Sequence, residues 1–165
     1  MDRSRIVGIL GLCLLGLSSC FKPEEKPLPS GSELSQSLLV LNEGNFQWGN
    51  ASIHRYDPKS KSYDDQDLFS RVNQRPLGDV LQSGLVLENE IWMVVNNSGR
   101  IEVVNKSDFK LVKSFTDFLS PRYLCEIDPD RMLVSDLYLD SLTLFNRHTG
   151  KVLQRIALKG WSEQM

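Results

Sequence analysis

The sequence predicts an all-β fold of short antiparallel strands grouped in four-stranded units, and three observations predict it. From Leu38 onward, apolar and polar residues alternate in short runs bounded by Asn, Asp, Ser and Gly, with no helical period sustained over three turns. Two stretches, EIWMVVNNSGRIEVVNKSDFKLVKSF at 90–115 and DRMLVSDLYLDSLTLFNRHTGKVLQRI at 130–156, lie over each other about 40 residues apart with one residue inserted. Asn96 then falls on Asp136, Val103 on Thr143, Lys110 on Lys151 and Phe115 on Ile156. Four short strands recurring at that period are the pattern of a β-propeller blade.

Residues 1–19 stand outside this pattern. Arg3 and Arg5 precede an apolar run from Ile6 to Leu17 that ends in small residues, the layout of a secretory signal. The run is shorter than the roughly 20 apolar residues a spanning helix needs. Leu17-Ser18-Ser19-Cys20 resembles the bacterial lipobox, which makes Cys20 the lipidated first residue of the mature chain and the membrane attachment an anchor rather than a span. Residues 20–37, Cys20 followed by FKPEEKPLPSGSELSQS, carry Pro23, Pro27, Pro29 and Gly31 among charged and small residues and read as an extended tether. Phe21 after the lipidated Cys favours the outer membrane by the lipobox analogy. Glu24 and Glu25 beside Lys22 resemble the acidic export tags of surface-displayed lipoproteins, or form a solvated linker.

The folded domain is expected over 38–165. Its first unit supplies LLVLN as a second strand, ASIHRYD as a third and KSYDDQDLF as turn plus fourth. The next unit runs DVLQSGLVL, IWMVVN, RIEVVN, KLVKSF, and the third RYLCEI, RMLVSD, SLTLFN, KVLQRI. Asn105 to Asp108 and Asn146 to Gly150 supply tight-turn chemistry between the last two strands of each. Roughly 120 residues make about three blades, whereas closed propellers take 4–8. The expected architecture is an incomplete arc of about three blades, and the chain reads as a truncated product, a fragment, or part of an assembly completed by another chain. The tail LKGWSEQM resembles the start of a further inter-blade connection.

Antiparallel order places the loop between strands two and three on the same face as the connection to the next blade. That face gathers Glu43, Asn45, Phe46, Gln47, Trp48 and Asn50, then residues 73–79 and 97–100, then Ser120, Pro121, Arg122 and Tyr123, then Asp136, Tyr138 and Asp140, and finally Trp161 and Glu163. Aromatic surface beside amides and carboxylates is the make-up of a small-molecule or sugar site. Glu43, Asn45, Phe46, Trp48, Asn50, Arg122, Tyr123, Asp136, Tyr138, Trp161 and Glu163 are the candidate ligand-binding residues. The alternative for Phe46 and Trp48 is that they fold back and shield the core between blades. Asn42 and Asn96, at equivalent strand ends, read as turn or backbone-satisfying residues.

The formal charge is -2 for the whole chain, and a mildly acidic balance argues against nucleic acid as a partner. Of Cys13, Cys20 and Cys125, only Cys125 stays an ordinary thiol, so no disulfide framework is expected. His54 in a strand and His148 in a turn on the opposite face do not pair, and no HxxxH or CxxC spacing occurs. Asp64 to Asp67, DDQD, lacks the patterned calcium loop and reads as a solvated acidic turn. Ser83 and Ser135 lack a nucleophile elbow. Asp140-Ser141-Leu142 matches a short bacterial O-glycosylation pattern. No catalytic or metal-binding set is expected.

LNEGN followed by GNAS, NQRPLGDVLQS, NNSGRIEVVN and SPRY resembles the YVTN-type propeller lipoproteins of Gram-negative cell surfaces, and within them the BtuG-type cobalamin-binding proteins. The resemblance covers Leu39 to about Met165. It implies a surface-exposed outer-membrane lipoprotein that captures cobalamin or another corrinoid and passes it to a TonB-dependent transporter. Two other readings stay open: a non-catalytic protein- or glycan-interaction scaffold, and a propeller enzyme of the quinoprotein-like, lyase or hydrolase kind.

Overall fold

A computed structural model describes residues 26–160 and Ser162. Among these residues three antiparallel sheets follow one another. The first holds β1 (Leu38–Asn42), β2 (Ser52–Asp57) and β3 (Ser62–Asp64). The second holds β4 (Leu81–Val86), β5 (Glu90–Val95), β6 (Arg100–Asn105) and β7 (Leu111–Phe115). The third holds β8 (Pro121–Asp128), β9 (Arg131–Asp136), β10 (Ser141–Asn146) and β11 (Val152–Ala157). Among the described residues two short helices stand outside the sheets, α1 (Gly31–Ser35) and α2 (Leu68–Asn73).

Sequential strands are neighbours in every sheet because each pair is joined by a tight turn or short loop. At the turns between third and fourth strands, one side chain repeats one task. Asp57 accepts from the Lys59 and Ser60 N–H groups, Asn105 from Ser107, and Asn146 from His148 and Thr149. A short polar side chain bonding backbone two residues on reverses the chain without the help of tertiary packing.

The middle sheet is buried on both sides, which explains the unbroken apolar run Ile91-Trp92-Met93-Val94-Val95. Ile91, Met93 and Val95 face the first sheet and pack with Ile53, Leu68, Phe69, Leu77 and Phe109. Trp92 and Val94, with Ile101 and Val103, face the third sheet and pack with Met132, Val134 and Phe145. Successive side chains of a strand point to opposite faces, so one run serves two cores. In the second core, Trp92 stacks on Phe115 with ring centroids 5.6 Å apart, and Phe145 meets Phe115 edge-on at 6.0 Å.

Polar ties reinforce both junctions. Glu102, fully buried on β6, meets Arg75 at 2.9 Å and Arg100 at 3.3 Å, and Arg100 also donates to the Leu77 carbonyl. Residues 74–77 are thereby fastened to the second sheet. Arg147, in the β10–β11 turn, bridges Glu90 and Glu126 and lies over the Trp92 ring.

Two expectations are corrected. The tether of 20–37 does not stay extended: its described part, from Lys26, lies on the first sheet. Ser30 and Glu33 form a reciprocal capping box that starts α1, and Leu34 is buried in the first core. Lys26 reaches Asp64 and Asp65, and Arg71 donates to the Lys26 and Pro27 carbonyls. The fourth strand of the first unit is also shorter than KSYDDQDLF. Asp67 accepts from Phe69 and Ser70 N–H and turns the chain into α2, because an N-cap aspartate satisfies helical donors that a strand would have to pair elsewhere.

Candidate functional site: the rim of loops and connectors

Three loops join second to third strands, at 43–51, 96–99 and 137–140, and the connectors at 65–80 and 116–120 join one sheet to the next. Their ends meet along one hydrogen-bonded rim. In the first loop, Asn45 N–H donates to Asn50 Oδ1 at 2.7 Å and Trp48 N–H to the Asn45 carbonyl at 3.0 Å, closing a tight turn. Gln47 sits at its apex with φ 67°, a left-handed conformation that costs a side-chain-bearing residue about 1 kcal/mol. Its N–H donates to Asp79 Oδ2 at 2.8 Å, tying the loop to the first connector.

Asp79 is the keystone of this rim. The same carboxylate oxygen accepts from the Asn97 side chain, and the Asp79 N–H donates to Ser98 Oγ at 2.9 Å. One residue therefore joins the first loop, the connector and the second loop. The second loop turns at Gly99, φ +61°, where a Cβ would stand 2.7 Å from the Phe118 carbonyl oxygen, so a larger residue would push away the next connector. Asn96 then donates to Ser120 Oγ and to the Pro121 carbonyl, both at 2.9 Å, and Ser120 N–H donates to Asp136 Oδ2 at 2.8 Å. Trp48 and Pro121 accordingly belong to one side of the molecule, as the strand order requires.

The candidate residues divide by exposure. Phe46, Trp48 and Tyr138 are 62%, 74% and 70% exposed. Neither aromatic of the first loop folds back over the core. The tight 45–48 turn holds both outward. Glu43 and Asn45 are exposed beside them, with the Glu43 carbonyl accepting from Leu81 N–H. Arg122 and Tyr123 are half-buried on β8, the innermost strand of its sheet. The Arg122 carbonyl accepts from Ser83 Oγ, and Tyr123 N–H donates to Ser135 Oγ. Trp161 and Glu163 lie outside the described residues, as does Cys20.

Two candidates have structural work instead. Asp136 is 3% exposed, and its carboxylate accepts from Ser120 and Tyr138 N–H, so it holds the third loop rather than facing solvent. Asn50 commits its side-chain oxygen to closing the first loop. The connector also departs from expectation at Asn73, which bonds Phe69, Phe109 and Leu111 near the β6–β7 turn, at the opposite end of the sheet. Only its last residues, from Leu77 to Asp79, return to the rim. Sequence reasoning placed Asp79 on this face without giving it a role. The signal was its position two residues before β4, where the connector reaches the rim.

The remaining polar clusters are accounted for by folding. Asp64 pairs with Arg71 at 3.0 Å, and although burial pushes its carboxyl up, the Gln66 N–H and the Arg71 and Lys26 cations hold it below the ordinary range. His54 stacks on Tyr63 and bonds Ser52, while His148 meets Asp130 in turns on the other face. Among the described residues no group of three or more His, Cys, Asp or Glu side chains is placed to hold a metal.

No family model matches the chain, and no curated protein matches it. Solved structures do. The WD40 β-propeller domain of Doa1 aligns at TM-score 0.51 and 14% identity, over 76% of this chain and 38% of that one. Hydrazine synthase of Kuenenia stuttgartiensis aligns at TM-score 0.55 and 14% identity, over 74% and 34%. The dihydro-heme d1 dehydrogenase NirN, in complex with DHE, aligns at 0.53 and 15%, over 82% and 26%. The fold is a β-propeller one. The chain spans between 26% and 38% of the length of these structures. At such identities the likeness concerns backbone architecture alone.

Proposed function

We infer that this chain is a lipid-anchored, surface-exposed outer-membrane protein whose rim captures a corrinoid for a TonB-dependent transporter, without catalysis. The observation that carries the reading is the outward projection of Phe46, Trp48 and Tyr138 from one hydrogen-bonded rim. Flat exposed aromatics offer stacking surface to a broad macrocycle, and the neighbouring Glu43 and Asn45 offer acceptors and donors to its peripheral amides. The choice of a corrinoid over other broad ligands rests on the sequence resemblance, and the anchor on the lipobox likeness at Cys20.

Titration calorimetry of the purified chain with cyanocobalamin tests this directly. Reversible binding is expected, weakened at least tenfold when Glu43 and Trp48 are both changed to Ala. An affinity untouched by the double substitution, or no binding at all, contradicts the reading.

A second reading has one observation in its favour: the aromatics are spread over the first and third blades rather than gathered over one cavity. That spacing suits a protein or glycan surface. Pull-down from outer-membrane extract without corrinoid separates the two, since a scaffold recovers a protein or glycan partner other than a TonB-dependent transporter under those conditions and a capture protein does not.

A further inference from the structure

One place in the blade is treated in two ways. The third residue of the third strand is Glu102 on β6 and Thr143 on β10, each three residues before the Asn that ends the strand. Glu102 pairs across the ladder with Met93 and Ser114, and Thr143 with Val134 and Arg155. In the second blade the chain fills this place itself. Glu102 is fully buried and meets the guanidinium groups of Arg75, from the preceding connector, and of Arg100. In the third blade the preceding connector, 116–120, carries no arginine. A cavity of about 390 Å³ stands there instead, with Asp117, Phe118, Asp136, Leu139, Thr143 and Arg155 in its walls. That volume falls within the range of small-ligand sites, roughly 300–1,000 Å³.

Three polar side chains of this cavity have no partner among the described residues. Thr143 is 3% exposed, yet its hydroxyl makes no hydrogen bond. A buried hydroxyl left unbonded is unfavourable, so its partner comes from whatever occupies the cavity. Residues directly opposite in an antiparallel pair share a face, so Arg155 lies on the same side as Thr143. Arg155 and Asp117 are exposed at the mouth and do not pair with each other or with another described side chain. Asp136 differs, because its two oxygens already accept from Ser120 and Tyr138 N–H.

We propose that this cavity binds one ring of a neutral saccharide. The choice follows from its mixed charge. A carboxylate drawn to Arg155 would meet Asp117 and Asp136, and an ammonium drawn to Asp117 would meet Arg155. Sugar hydroxyls satisfy both, donating to Asp117, accepting from Arg155 and exchanging a bond with Thr143. Phe118 and Leu139 supply apolar surface to the C–H face of the ring. The site is separate from Phe46 and Trp48 and independent of the corrinoid reading.

Amide chemical-shift titration of the full chain with N-acetylglucosamine and the methyl glycosides of glucose, galactose and mannose, at millimolar concentration, tests the proposal. At least one should move Phe118, Leu139, Thr143 and Arg155 saturably, while acetate and methylammonium do not. Arg155→Ala, at an exposed position, should weaken that binding about tenfold. Thr143→Val keeps the side-chain shape, removes only the hydroxyl, and should weaken binding severalfold with no fall in melting temperature. Four results overturn the proposal: no saturable shift or shifts only elsewhere, affinity unchanged in both variants, or charged probes binding as well as the sugars. The fourth is a lower melting temperature for Thr143→Val, which would mean that the hydroxyl is already engaged within the fold.

Discussion

Asp136 holds two backbone N–H groups, those of Ser120 and Tyr138, in a site 3% open to solvent. Replacing it by Ala leaves buried donors without an acceptor, at a cost of about 1–3 kcal/mol. Urea unfolding should record that loss for Asp136→Ala and a smaller one for Asp136→Asn, which keeps one acceptor. A stability equal to wild type would mean that the third loop is held by something else. Glu90 makes a second residue-scale prediction. Burial pushes its carboxyl up, but hydrogen bonds from Arg147, Trp92 and Lys113 outweigh burial and hold it below the ordinary range. A carboxyl depressed on folding contributes stability above its unfolded value, roughly 4.3, and loses it as the pH falls through the folded one. Melting temperature should therefore fall on acidification below about pH 5, and fall less in Glu90→Gln, which starts lower at pH 7. Parallel acid profiles for the two proteins would contradict the assignment.

At the scale of elements, α1 ties the end of the presumed tether to the first sheet. Leu34→Ala should cost about 2–3 kcal/mol and Ser30→Ala about 1 kcal/mol, measured by urea midpoints. A tether in solvent would give no change for either. All strands of the second and third blades were legible in the sequence, because their apolar alternation is bounded by Asn, Asp and Gly turns that act locally. The two helices were not. Gly31 to Ser35 is too short for a helical period to register, and its driving force is the burial of a single Leu supplied by tertiary packing. DLF at 67–69 reads equally as strand or helix start. The cap decides it, and the space beside β2 that α2 fills is set by the whole fold. The candidate rim was legible as a face, since strand order alone assigns loops to sides. Which of its residues point outward was not, because Asp136 is drawn inward by the Ser120 and Tyr138 N–H groups, which only the folded connector and loop bring to it.

For the whole molecule, one doubly buried sheet joins two singly buried ones, and Trp92 is the largest fully buried side chain among the described residues. Trp92→Ala should cost about 3–5 kcal/mol and loosen the third blade from the second, seen as a loss of near-ultraviolet circular dichroism from the aromatic cluster. The functional account depends on one geometric fact, that loops and connectors from successive blades share a rim that receives the ligand. Amide chemical-shift mapping of the full chain on addition of cyanocobalamin examines it most directly. The account predicts shifts at Gln47, Trp48, Asn97 and Tyr138, with the turns at 58–61, 106–110 and 147–151 unmoved. Shifts confined to those turns, or none at saturating ligand, would contradict it.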